Sequence, residues 1–211
     1  MVTARRHLLK RCLDATGSTL VLALALPLFL CVAGLVLLED RGPVFYRQRR
    51  VGLGGRPFEL LKFRSLRVHD LSTEVVGQVS GSHPLVTRTG RVIRRLKIDE
   101  LPQLLNVLRG DMSLVGPRPT VPEQVERYDA FQRRRLEMRP GITGWAQVNG
   151  NVQLSWDERI TLDVWYVDHW SPVLDARILA RTVAVVLFGE RPNLQALVEA
   201  RAYADGAGRS S

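Results

Sequence analysis

Two adjacent carboxylates, Asp99 and Glu100, open the stretch KIDELPQLLNVLRGDMSLVGPRP from Lys97 to Pro119, in a chain whose net charge is +9. The same stretch closes on Arg118, held between Pro117 and Pro119 after Gly116. A guanidinium on so restricted a backbone loses little freedom on binding, and its fork of donors suits phosphate or carboxylate. Leu101, Leu104, Leu105 and Leu108 recur at i, i+3, i+4 and i+7, which predicts an amphipathic helix. Asp99 fits its N-cap, Pro102 its first turn and Gly110 its stop. Capping alone would explain one carboxylate, Asp99.

Other segments could position this group. GPVFYRQRRVGLGGRPFELLKFRSL, from Gly42 to Leu66, carries two Val-, Phe- and Leu-rich runs around Gly52, Gly54 and Gly55, the pattern of a hairpin with a glycine turn. Residues 68–89 dissolve into Ser, Thr, Gly and His and read as a long loop, either a lid or a surface excursion. RPGITGWAQVNG, from Arg139 to Gly150, is turn-rich and could line a site. LDVWYVDHWS places Asp163 near Trp165, Tyr166 and Trp170, aromatics that suit either a membrane interface or a core.

At the N-terminus, Arg5, Arg6, Lys10 and Arg11 precede an uncharged stretch, Leu20 to Leu38, long enough as a helix to cross a hydrocarbon core of about 30 Å. Basic residues flank both ends, from Arg41 through Arg67 on the far side, which conflicts with the positive-inside pattern of a crossing helix. Pro27 lies mid-run and could bend the helix back into one leaflet; a tolerated kink in a crossing helix is the alternative. The spacing of Cys12 and Cys31 fits no zinc or redox motif.

With 30 Lys and Arg against 21 Asp and Glu, the partner is a polyanion: nucleic acid, anionic membrane or phosphorylated substrate. No helix-turn-helix, zinc or aromatic-basic sheet pattern is present, and the apolar stretch argues further against nucleic acid. The expected class is an enzyme handling a phosphorylated substrate at a membrane surface.

The chain resembles the bacterial sugar transferases, small monotopic phosphoglycosyl transferases that act on polyprenyl phosphate. KRCLD (Lys10 to Asp14), GPVFYRQRRVG, FELLKFRSL, IDELPQLLNVLRGDMSLVGPRP, RPGITGWAQVNG and LDVWYVDHWS carry the resemblance, in the family's order, over about residues 8–188. It implies a mixed α/β, mostly helical monotopic membrane protein: a basic flank and re-entrant helix broken at Pro27 (1–40), a compact cytoplasmic catalytic domain with a small β-hairpin and amphipathic helices (41–190), and a C-terminal extension (191–211), disordered after about Tyr203. It places the chain at the inner membrane of a bacterium, with the domain on the cytoplasmic face. The implied reaction moves a sugar 1-phosphate from a nucleotide diphosphate sugar, usually a UDP-sugar, to undecaprenyl phosphate, with release of UMP and Mg²⁺ as cofactor. Asp99 becomes the nucleophile of a covalent phosphosugar intermediate and Glu100 its partner, both at the metal; Arg118 binds a substrate phosphate, and Lys62 and Asp163 lie in or beside the site. A homodimer is compatible with this reading, as is a scaffold of the same fold without activity. The family often reads Pro-Arg-Val-Thr where this chain has Pro84, Leu85, Val86 and Thr87, so sugar specificity does not carry over.

Overall fold

The computed structural model describes residues 2–67 and 83–206, with side chains from Leu8 onward. Helix α1 runs from Val2 to Glu39. An antiparallel hairpin follows, β1 (Phe45–Val51) and β2 (Pro57–Phe63), paired so that Tyr46 faces Lys62 and Arg50 faces Phe58. Its turn takes positive φ at Gly54 (63°) and Gly55 (80°), the left-handed conformation that the glycine run predicts. The chain continues through α2 (Arg88–Arg95), α3 (Gln103–Arg109), β3 (Ser113–Val115), α4 (Pro122–Val125), α5 (Ala130–Arg133), β4 (Gly141–Thr143), α6 (Trp145–Val148), α7 (Trp156–His169), α8 (Pro172–Phe188) and α9 (Leu194–Gly206). β3 and β4 form a two-stranded parallel pair. The architecture is mixed and mostly helical, as expected.

The main core gathers β3, α6, α7, α8 and α9 around Tyr166, Leu162, Ile178 and Ala200. Tyr166 is fully buried and Trp165 and Trp170 pack against this core, so packing rather than lipid accounts for these aromatics. Sequence chemistry sets the helix starts here: Ser155 and Glu158 form a capping box for α7, and Ser171 caps α8 with Pro172 in its first turn.

Two expectations change. Pro27 does not break α1, which is one continuous helix; proline removes only its own donor, a local loss that an apolar helix absorbs. Within the expected C-terminal extension, 191–211, α9 buries Ala196, Leu197, Ala200 and Ala204, and Tyr203 donates to Asp168 at 2.9 Å; residues 207–211 lie outside the described residues. The loop at 68–89 is shorter at its far end: Leu66 bridges Val86, and Thr87 caps α2 by accepting from the Gly90 amide at 2.8 Å. The remainder, 68–82, also lies outside the described residues.

Both ends of α1 dock on the same domain. Near its start, Lys10 pairs with Asp175 at 2.6 Å, Arg11 donates to the Val107 and Leu108 carbonyls, and Asp14 accepts from the Ser113 hydroxyl (2.9 Å) and Leu114 amide (3.0 Å). Near its end, Val32 and Val36 pack with Phe63 and Ile93, Phe29 meets Phe45 and Phe63, and Glu39 accepts from the Arg88 and Thr89 amides at 2.5 and 2.8 Å, capping α2. Between these anchors Leu20, Leu24 and Leu30 are exposed.

Candidate active site

The acidic pair sits on a single tight turn. Lys97 adopts the left-handed conformation (φ 58°), Ile98–Glu100 form a 3₁₀ turn, and α3 starts only after Pro102. Asp99 therefore is not the helix N-cap; neither capping position, Lys97 or Pro102, makes a side-chain capping bond. The buried face of α3 also differs from the leucine stripe: Gln103, Leu104, Asn106 and Val107 point inward, whereas Leu105 and Leu108 are half-buried. Gly110 ends the helix at φ 95°, as read.

Two segments converge on Glu100. Lys62 Nζ from β2 donates to Oε1 at 2.8 Å, and Arg118 Nη2 from the proline-flanked loop donates to the same oxygen at 3.3 Å. The Glu100 side chain is 15% exposed, while that of Arg118 is 41% exposed and open to a ligand. Burial alone would raise the Glu100 carboxyl, but Arg118 and Lys62 outweigh it and hold it down at about 2. Asp99, nearly buried, goes the other way: burial raises it against the pull of Lys62, and the charge of Glu100 adds to the rise. The two neighbouring carboxyls are thus shifted in opposite directions by their surroundings.

Asp163 lies behind this group rather than in it. At 2% exposure it contacts Arg135 at 2.5 Å, and the same Arg135 nitrogen donates to the Arg118 carbonyl at 2.9 Å. Through Arg135, Asp163 is tied to the backbone of Arg118. Burial pushes its carboxyl up to about 6 against the charge of Arg135.

Sequence reasoning passed over the residues that hold these segments together. Asn106, fully buried, accepts from the Leu61 amide at 3.0 Å and donates to the Glu59 carbonyl at 2.7 Å, fixing β2 and therefore Lys62 against α3. A lone amide inside an apolar helical pattern was the available signal. Gly116 and Gly141 approach so closely that a Cβ on Gly141 would lie 2.1 Å from the Gly116 nitrogen, which seats the Arg118 loop on β4. Arg135, likewise unmarked in sequence, belongs to an ordinary-looking basic run.

Among the described residues no three His, Cys, Asp or Glu side chains converge as a metal cage. A Mg²⁺ that completes its shell with water and substrate phosphates needs only one or two carboxylates. Asp99 and Glu100 fit that mode, even though Glu100 Oε1 already serves two cations.

A carboxylate pair among cations, on a domain that clasps an apolar helix, defines an anion-handling site beside a membrane-type segment. The sequence pattern of the family described as bacterial sugar transferase matches residues 5–189. The uncharacterized sugar transferase EpsL of Bacillus subtilis (strain 168) is 48% identical over 183 residues, 87% of this chain and 89% of that protein. A UDP-glucose:undecaprenyl-phosphate glucose-1-phosphate transferase of Caulobacter vibrioides is 44% identical over 84% of this chain and 69% of its own length. An undecaprenyl-phosphate glucose phosphotransferase of Komagataeibacter xylinus is 44% identical over 85% of this chain, which spans only 36% of that protein. The chain belongs to the bacterial sugar transferase family.

Proposed function

We propose that this protein is a phosphoglycosyl transferase that moves a sugar 1-phosphate from a UDP-sugar to a polyprenyl phosphate such as undecaprenyl phosphate, and that Asp99 carries the phosphosugar between them. The observation that carries the reading is the meeting of Lys62 and Arg118 on Glu100, with Asp99 beside them on the same turn. The names of the Caulobacter and Komagataeibacter relatives support the donor and acceptor classes.

In the first step an Asp99 carboxylate oxygen attacks the sugar-linked phosphorus. A phosphorus–oxygen bond forms, the bond to the nucleotide phosphate breaks, and UMP leaves with that electron pair. In the second step an oxygen of the polyprenyl phosphate attacks the same phosphorus, the bond to Asp99 breaks, and the carboxylate is regained. Neither step needs an external oxidant or a net proton, and two displacements replace one difficult encounter. Arg118 offers its guanidinium to a phosphate oxygen, and Lys62 offsets anionic charge around Glu100. Mg²⁺ held by Asp99 and Glu100 would supply further charge compensation on the phosphate oxygens.

The membrane seating follows from α1. Leu8–Glu39 is apolar and long enough to cross a bilayer. Both its ends are anchored on one domain, however, and the free stretch from Ser18 to Phe29 spans roughly 17 Å at 1.5 Å per residue, against about 30 Å of hydrocarbon. This supports a helix that enters one leaflet and keeps both ends on the cytoplasmic side of the inner membrane. The reaction is tested by UMP release from detergent-solubilised protein with undecaprenyl phosphate, Mg²⁺ and a panel of UDP-sugars. Wild type releases UMP with at least one donor and Asp99→Asn with none; no release from wild type with any donor would overturn the reading.

A further inference from the structure

Arg50, the last residue but one of β1, lies in the GPVFYRQRRVG stretch and is a second guanidinium near Arg118 that the Glu100 hydrogen bonds do not use. Strand register puts it on the hairpin face that carries Tyr46 and Lys62. Its Nη1 donates to the Pro119 carbonyl at 3.3 Å, one residue beyond Arg118, and its Nη2 to Gln48 Oε1 at 2.7 Å. Arginine has five donors. Arg50 Nε is buried and has no partner among the described residues. Burial and then the charge of Arg118 lower its proton affinity, so two like charges are held within reach of one another. The two guanidiniums share the charge of Glu100, which already serves Lys62 and Arg118, while Glu123 also acts on Arg50. Such a pair is under-compensated until an anion with more than one charged group arrives, and a diphosphate presents two.

We infer that Arg50 and Arg118 form a two-guanidinium clamp on the diphosphate of the donor, with Arg118 on the phosphate nearer Asp99 and Arg50 on the phosphate that departs with the nucleotide. The assignment of ends follows from the connections: Arg118 bonds to Glu100, next to Asp99, whereas Arg50 bonds to Gln48 and the Pro119 carbonyl and, among the described residues, makes no hydrogen bond to Glu100. Negative charge grows on the departing phosphate as its bond to the reacting phosphorus breaks, so a guanidinium there serves both binding and departure. The donor's identity rests on the reaction proposed above; the diphosphate chemistry of the clamp does not.

The test is calorimetric titration of the full-length, detergent-solubilised protein with inorganic pyrophosphate and, separately, with UMP. Arg50→Gln should weaken both by about tenfold or more, the scale of one lost charge-assisted contact, with its melting temperature close to that of wild type. Arg50→Lys keeps the charge without the fork and should recover part of the pyrophosphate affinity. Equal affinities in wild type and Arg50→Gln, or no pyrophosphate binding by wild type, would overturn the clamp. If pyrophosphate binding depends on Arg50 while wild type turns over no UDP-sugar, the clamp stands and the proposed reaction fails.

Discussion

Glu100 accepts from Lys62 and Arg118 through one oxygen, and this shared acceptor decides how substitutions nearby should behave. Lys62→Met leaves a largely buried carboxylate with half its compensation; kcat/KM should fall by about a hundredfold, roughly 2.7 kcal/mol, measured as UMP release at subsaturating donor. Behind the site, Asp163 gives a signature in stability rather than chemistry. Its folded-state pKa, about 6, lies above the ordinary value of 3.8, so its favourable contribution is present below 3.8 and is lost as pH rises through 6. Wild type should therefore gain stability relative to Asp163→Asn as pH is lowered across that window, and the difference should be flat above about pH 7, read from melting temperatures at each pH. A difference that does not vary with pH would contradict this. The acidic pair and the proline-locked arginine were legible in sequence because residue type alone marks them. The partnerships were not, since Lys62, Glu100 and Arg118 meet only through tertiary packing, and Asp163 shows its burial only once Arg135 is placed.

At the scale of elements, the hairpin, the 3₁₀ turn and the Arg118 loop are held by contacts specific enough to test one at a time. Asn106→Leu removes both partners of β2 at Leu61 and Glu59, leaving an amide and a carbonyl unmet inside the domain. The expected loss is about 2–4 kcal/mol in denaturant unfolding, more than a polar-to-apolar change on an exposed helix face would cause. Gly141→Ala forces a methyl into the Gly116 backbone and should destabilise by about 3 kcal/mol or more, with loss of activity through the displaced Arg118 loop. The hairpin was readable from its glycines and alternating apolar runs. The start of α3 was not: an aspartate ahead of a leucine stripe looks like a cap, but Pro102 and the left-handed Lys97 delay the helix and turn Asn106 rather than Leu108 inward. Strands β3 and β4, three residues each, are too short to leave a period in the sequence.

For the molecule as a whole, the surplus of 30 basic over 21 acidic residues surrounds a site whose central groups are acidic. Cations near an anionic leaflet contribute about 1 kcal/mol each to adhesion, and the exposed leucines of α1 supply the apolar part. Because α1 is clasped at both ends, accessibility tags at the N-terminus and after residue 206 should label from the same side of the membrane; labelling from opposite sides would refute the one-leaflet seating. The central claim is that Asp99 itself carries the phosphosugar. The direct measurement is peptide mass spectrometry of the full-length protein after incubation with a turned-over UDP-sugar and Mg²⁺ but no polyprenyl phosphate, followed by rapid acid quench. The account predicts an adduct of the mass of the donor's sugar phosphate on the peptide containing Asp99, absent from Asp99→Asn and discharged when undecaprenyl phosphate is added before the quench. A wild-type protein that turns over the donor yet carries no adduct, or carries it on another residue, would contradict it.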